Sequence, residues 1–294
     1  MSAYHTPVLL QESIAALAIR PDGVYVDATF GGGGHSREIL KHLGPKGRLI
    51  AFDKDADALE RAPQDERLTL VHNDFRFVHN FIRYHGCEAV DGILADLGVS
   101  SHQFDTAERG FSFRFDDAPL DMRMNHDAPL CAADIVNSYS GEDLERIFRL
   151  YGEVEGSARL AELIVSSRER SPLRTTADLG RAIARALPKF MEHKYLAKVY
   201  QALRIEVNGE MTSLEGFMKG AMRSLGQGAR LAVITYHSLE DRLVKNAIRE
   251  GVETGLLTRI AKKPILPSEE EISLNTRARS AKLRIAGRRV EDKK

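Results

Sequence analysis

Short apolar runs alternate with amphipathic stretches through the first hundred residues. The run Gly23-Val24-Tyr25-Val26-Asp27 predicts a strand that leads into four glycines, Gly31 to Gly34. A helix is expected over 36–43, stopped at Gly44-Pro45. Further strands are expected at 48–53, 68–72 and 92–96, with helices at 56–61 and 75–85 between them. Strands that alternate with helices across short loops imply parallel βαβ units.

The rhythm breaks after residue 100. A loop-like stretch rich in Asp, Phe and Arg covers 101–129, and helical patterns follow at 132–139, 142–151, 158–170 and 177–187. Ser140 and Thr176 suit helix N-caps, and Pro172 and Pro188 stop their helices. No core strand is evident across this region, which predicts an inserted all-helical domain at 106–200. The α/β rhythm then returns, with a helix at 213–225 and an apolar strand at 228–235. A continuous apolar run marks a strand buried on both faces, hence a central one. A helix at 239–250 and strands at 257–260 and 282–285 complete the pattern, and the acidic segment 268–271 reads as a solvated loop. The fold class is therefore α/β: a Rossmann-like, mostly parallel sheet built from 1–105 and 201–294, interrupted by helices.

Composition narrows the function. Lys plus Arg and Asp plus Glu both number 42, so a uniformly basic nucleic-acid coat is excluded, although a local basic patch is not. No apolar run approaches the roughly 20 residues that span a bilayer. The first residues lack a basic stretch followed by an apolar one, so no secretory signal is expected and the cytoplasm is the expected compartment. Two cysteines, Cys87 and Cys131, exclude a disulfide framework or a Cys-rich zinc site, and both are expected as buried thiols. His72, His79 and His85 lie close in sequence without metal-ligand spacing, so no metal is expected.

The chemistry concentrates at Asp27-Ala28-Thr29-Phe30-Gly31-Gly32-Gly33-Gly34-His35-Ser36. A strand ending in a glycine-rich turn into a helix lets a ligand approach the backbone. No Lys-Ser or Lys-Thr follows, so this is not a phosphate-cradling P-loop. The dinucleotide fingerprint is met by Gly31 and Gly33, but Ser36 holds the third glycine position. Asp53 lies 20 residues beyond Gly33, at the end of the second strand, where a carboxylate can accept both ribose hydroxyls of an adenosine. Asp96-Leu97-Gly98-Val99-Ser100-Ser101 follows the fourth strand. In an open parallel sheet Asp27, Asp53 and Asp96 gather on one edge, and such a rim suits a cationic sulfonium better than a pyrophosphate. Phe111, Phe113 and Phe115 share a face if their segment is extended. They then form either a packed lid or a stacking surface for an extruded base. Arg277, Arg279, Lys282, Arg284, Arg288 and Arg289, with Lys293 and Lys294, form a basic cluster that can track RNA phosphates or be a solvated strand face. The segment from His237 to Arg242 follows a central strand and suits a charge network at a helix start.

Taken in order, these stretches resemble the MraW family, bacterial methyltransferases that modify N4 of a decoding-centre cytidine in 16S ribosomal RNA. The resemblance runs through His5-Thr6-Pro7-Val8-Leu9-Leu10, residues 27–36 and 96–101, Glu108-Arg109-Gly110-Phe111-Ser112-Phe113 and Pro119-Leu120-Asp121-Met122-Arg123-Met124. It continues in His237-Ser238-Leu239-Glu240-Asp241-Arg242 and Asn275-Thr276-Arg277-Ala278-Arg279-Ser280. Each stretch is weak alone; their order is specific. His102 and Thr276 depart from the family, which usually has proline there.

The resemblance implies an S-adenosylmethionine-binding, Rossmann-like class I methyltransferase core. It also implies cofactor contacts at Gly33, Gly34, His35, Asp53, Phe75, Asp96 and Gln103. Asp96 is the candidate acceptor for the reacting amine. Many amino-methyltransferases carry Asp/Asn-Pro-Pro-aromatic at this position, where this chain has Asp-Leu-Gly-Val. The inserted helices, with Phe111, Phe113, Arg277 and Arg279, are candidates for binding the small ribosomal subunit's RNA. No membrane partner is expected, and the oligomeric state stays open, a homodimer included. Two rival classes remain: a nicotinamide-dependent oxidoreductase, against which Ser36 weighs, and a non-catalytic RNA-binding assembly factor, whose RNA affinity would ignore S-adenosylmethionine.

Overall fold

The computed structural model describes residues 7–290, so His5, Thr6, Lys293 and Lys294 lie outside it. The chain divides into two compact units. One joins Met1–Gly98 to Met211–Lys294, and the other is Val99–Glu210.

The first half of the α/β unit contains α1 (Leu10–Leu17), β1 (Val24–Asp27), α2 (Gly34–His42), β2 (Arg48–Asp53), α3 (Ala56–Leu59), β3 (Leu68–His72), α4 (Val78–Tyr84) and β4 (Val90–Asp96). The helical unit follows with α5 (Ser101–Asp105), α6 (Ala132–Ser138), α7 (Gly141–Tyr151), α8 (Ser157–Arg168), α9 (Thr176–Ile183) and α10 (Glu192–Asn208). The chain then supplies α11 (Glu210–Ser224), β5 (Leu225–Thr235), α12 (Ser238–Glu253), β6 (Leu257–Arg259), α13 (Glu269–Leu274) and β7 (Lys282–Arg288). The strands form one sheet in the order β3-β2-β1-β4-β5-β7-β6. The first five are parallel, and β7 runs antiparallel to both its neighbours.

Alternation along the strands loads both faces of the sheet. Val26, Ile50, Phe52, Ile93, Ala95, Leu231 and Val233 pack against Val78 and Ile82 of α4, Phe217 of α11 and Val244 of α12. The intervening Tyr25, Leu49, Leu94, Ala232 and Ile234 pack against Leu17 of α1 and Ile39 of α2. Burial on both faces is why β4 and β5 read as continuous apolar runs.

Several expectations need correction. The helices α1 and α10 had no predicted counterpart. The segment 268–271 is not a solvated loop: it caps and opens α13, where Ser268 Oγ accepts the Glu271 N–H at 3.1 Å. Glutamates in a first helical turn are favoured by the helix dipole, and Glu271 also accepts the Leu9 N–H at 2.7 Å. Ser140 is an N-cap as expected, accepting from Asp143 N at 3.0 Å. At α9 the cap is Thr175, in a reciprocal capping box with Asp178, and Thr176 instead donates to the Phe115 carbonyl at 2.8 Å. Cys87 is buried, but Cys131, beside the start of α6, is only partly so.

The helical unit has its own core. Leu144, Ile147 and Phe148 of α7 meet Leu160 and Ile164 of α8 and Val199 and Leu203 of α10. The expected boundaries of 106 and 200 cut this core. The helix α10 is continuous past residue 200, and Ala202, Leu203 and Val207 belong to the core, with Val99 and Phe104 packed on it.

Phe148 is fully buried, so Phe148→Ala should destabilise the helical unit by about 3–5 kcal/mol. Amide hydrogen exchange should accelerate in α7, α8 and α10 and stay slow in β4 and β5. Equal loss of protection in both units would mean that the two cores unfold as one.

Candidate active site at the carboxyl ends of the strands

The sheet order reverses between β1 and β4, since β2 and β3 extend one way and β5 the other. In open parallel sheets ligands bind at this switch, outside the carboxyl ends of the strands. β1, β2 and β4 end in Asp27, Asp53 and Asp96. Parallel pairing therefore brings the three acids to one edge, as the sequence implies.

The glycine turn is built around the first two. Asp27 is buried and accepts from Ser36 Oγ at 2.6 Å and from Thr29 N at 3.1 Å. Burial raises its pKa against these bonds. Asp53 Oδ2 accepts the Gly31 N–H at 2.7 Å and Oδ1 the Asp55 N–H at 2.9 Å. Its burial dominates and holds the carboxyl up at about 6. Gly33 caps α2 with a left-handed backbone (φ 72°), which glycine adopts without penalty. A Cβ on Gly34 would overlap the Pro7 ring, whereas one on Gly32 would meet nothing, so the turn is open there.

Asp96 is the most connected of the three. Its N–H donates to Thr29 Oγ1 at 2.6 Å, Tyr236 Oη donates to its Oδ1 at 2.7 Å, and His35 Nδ1 lies 3.8 Å from Oδ2. His35 is buried, with Nε2 at 3.2 Å from the Val8 carbonyl. The Asp96 side chain keeps 24% of its surface open while protein surrounds its other sides. Burial lifts its pKa to about 6, aided by the charges of Asp27 and Glu240 and opposed by His35 and Tyr236. Burial and the adjacent carboxylate push the Tyr236 phenol well up. Glu240 in turn accepts the Tyr236 N–H at 2.8 Å. His237 and Glu240 close a capping box at α12, and Asp241 binds Arg284 at 2.7 and 3.0 Å. The segment from His237 to Asp241 is thus a helix-start network.

Phe75 opens a short turn after β3 and rests edge-on against Phe217, with ring centroids 5.1 Å apart. Asp74 fixes that turn by accepting from Lys54 at 3.1 Å, Arg76 at 2.9 Å and Ser213 Oγ at 2.8 Å. Burial would raise the Asp74 carboxyl, but Arg76, Lys54 and Ser213 outweigh it and hold it at about 2.

Gln103 lies in the helical unit, buried, where its Oε1 accepts the Ser100 N–H at 3.0 Å. Phe111 and Ser112 are both buried, so residues 111–115 do not form an alternating exposed stripe. Phe111 belongs to the helical core, while Phe113 keeps part of its ring exposed. The basic cluster is partly committed. Arg284 and Lys282 pair with Asp241, and Arg288 donates to the Met222 carbonyl at 3.3 Å. Arg277 is half-buried beside its cap Asn275, and Arg279 and Arg289 are exposed. Sequence reading missed Tyr236 and Thr29. Tyr236 directly follows the apolar run ending at Thr235, so its place beside the end of β4 was available in principle.

A sequence profile described as the MraW methylase family matches residues 2–289. The chain belongs to the MraW methylase family. The ribosomal RNA small subunit methyltransferase H of Flavobacterium johnsoniae is 53% identical over 294 residues, covering 96% of this chain and 97% of that protein. Its namesake in Parabacteroides distasonis is 53% identical over 298 residues, covering 97% of both. Among solved structures, an rRNA methylase from Streptococcus thermophilus aligns with 12% identity and a TM-score of 0.44, over 98% of this chain and 99% of that one. The MraW match takes in both units, including all of the carboxylate edge.

The raised pKa of Asp96 has a signed consequence for stability. The folded protein keeps this proton between pH 3.8 and about 6, where the unfolded chain has lost it. The group's contribution to stability therefore falls as pH rises through that window. Asp96→Asn keeps an acceptor for Tyr236 but cannot ionise. Its stability relative to the parent should be lowest near the acid end and climb toward pH 6, read from urea midpoints without cofactor. A difference independent of pH would show that Asp96 ionises normally.

Proposed function

We propose that the chain methylates N4 of a decoding-centre cytidine in 16S ribosomal RNA, with S-adenosylmethionine as methyl donor. The observation that carries this reading is the open glycine turn ringed by Asp27, Asp53 and Asp96 at the switch point of an MraW-family sheet. Three carboxylates suit a cationic donor, and the two relatives' names supply the substrate class. S-adenosylmethionine, when bound, supplies a methyl carbon made electrophilic by its sulfonium.

The protein's own groups then divide the work. Asp53 receives the ribose hydroxyls, since each of its oxygens accepts one backbone N–H and retains a lone pair. The Gly33-Gly34 backbone and His35 lie along the methionine part, and Phe75 packs beside the adenine. Asp96 accepts a hydrogen bond from the cytidine amine. That amine is a poor nucleophile because its lone pair is delocalised into the ring. A charged acceptor localises the pair and takes the proton afterwards. A carboxyl at about 6 is close enough to neutral pH to do both. The helical unit binds the RNA, with Phe113 stacking on the target base and Phe111 held in the core behind that segment. Arg277 and Arg279 follow phosphates. Such an enzyme works in the cytoplasm, and no helix among the described residues is long and apolar enough to cross a membrane.

Mass spectrometry of ribosomal RNA from cells lacking the protein tests the reading. One methylated cytidine of the decoding centre should be missing, and an unchanged methylcytidine content would sink it. Two variants test the residues. Asp53→Ala should weaken S-adenosylhomocysteine binding by about 1.5–3 kcal/mol, measured by calorimetry, because a charged acceptor is lost. Asp96→Asn should change that affinity little while slowing single-turnover methyl transfer by about 10²–10⁴. A normal single-turnover rate across the pH range would remove Asp96 from the chemistry.

A further inference from the structure

The helical unit carries an exposed patch that the chemistry above does not use. Between α9 and α10, Phe190 is completely exposed (101%) and Met191 is half-exposed (50%). The backbone at Phe190 is left-handed (φ 70°), which is uncommon for a bulky residue. Along 185–194, Arg185, Lys189 and Lys194 are exposed, against one exposed acid in that segment, Glu192. The side chains of 190–194 line an open hollow of about 540 Å³. His193 is exposed as well, and its ring is anchored from below. It lies 5.8 Å from the Phe113 ring, which meets the buried Tyr200 edge-on at 5.4 Å. A line of rings thus runs from the helical core to the surface.

From this arrangement we propose that Phe190 and His193 form a stacking platform for unpaired bases of an RNA strand, with Lys189 and Lys194 on its phosphates. The proposal rests on reading the protein as an RNA-modifying enzyme and adds where a single strand is held. A solvated aromatic ring is a loss unless a partner covers it. Three cations against one anion select a polyanion over an apolar protein face. Aromatic faces flanked by cations bind single strands without regard to sequence, because every base offers a π-face. A duplex keeps its bases stacked inside and offers none.

The test uses the full chain and a labelled single-stranded RNA of about a dozen mixed-sequence nucleotides, read by fluorescence anisotropy without methyl transfer. Phe190→Ala should weaken binding by about 5- to 100-fold, the loss of one stacked base, and leave the salt dependence unchanged. The pair Lys189→Gln and Lys194→Gln together should lower the log–log salt slope by about 1.4, two phosphate contacts on a single strand. S-adenosylhomocysteine affinity should be unaltered in both, which also verifies folding. Unchanged single-strand affinity in Phe190→Ala overturns the proposal, as does an equal loss toward a duplex of the same sequence. So does a dimer that Phe190→Ala converts to a monomer in sedimentation, since a second copy would then cover the patch. Because binding is read without chemistry, failure here leaves the methylation reading intact, and an unchanged methylcytidine content leaves this result standing.

Discussion

Acidic side chains removed from water must be hydrogen-bonded, and this constraint organises the carboxylate edge of the sheet. Asp27 is satisfied by Ser36 and Thr29, Asp53 by two backbone N–H groups, and Asp96 by Tyr236. Those bonds also fix the parts that supply them: the first turn of α2, the glycine turn, the loop after β2 and the end of β5. Ser36 shows the trade. Where a dinucleotide-binding turn uses glycine for close helix–strand contact, this chain uses a hydroxyl that ties α2 to Asp27.

What could be read from the sequence follows from range. β1, β2, β4 and β5 were legible because burial on both faces writes itself as apolar runs, and the closing aspartates of β1, β2 and β4 came with them. α10 was not. Its apolar residues recur at helical spacing, but Met191 offers no side-chain cap, so the start signal is missing. The acidic run before Asn275 was misread because a helix start and a solvated loop share the same polar composition. Tyr236 needed the pairing of β5 beside β4 as well as the apolar run before it, since its bond to Asp96 spans 140 residues of chain. The Phe111 to Phe115 alternation misled for a related reason. Arg109 donates to the carbonyls of Arg123 and Met124, holding the neighbouring chain in a compact turn rather than a strand.

The separate core of Val99–Glu210 lets the surface of the helical unit vary without disturbing the packing around the carboxylates. Its ring contacts run outward from Tyr200, whereas those of the α/β unit run from Phe217 to Phe75. Each unit thus props a partly exposed aromatic residue, Phe113 or Phe75, on its own packing.

The sheet order also dictates an order of assembly. β7 follows β6 in the chain yet lies between β5 and β6. While the chain is being synthesised, the 11-residue β5 keeps one edge unpaired until 282–288 emerge, and β6 has no strand to pair with before then. A bare edge is a template for pairing with another chain. A stalled or clipped chain that lacks β7 therefore exposes a central strand of the sheet, and only insertion of β7 seals it. The last strand acts as a closing stave, so the methyltransferase core reports its own completeness by the disappearance of a sticky edge.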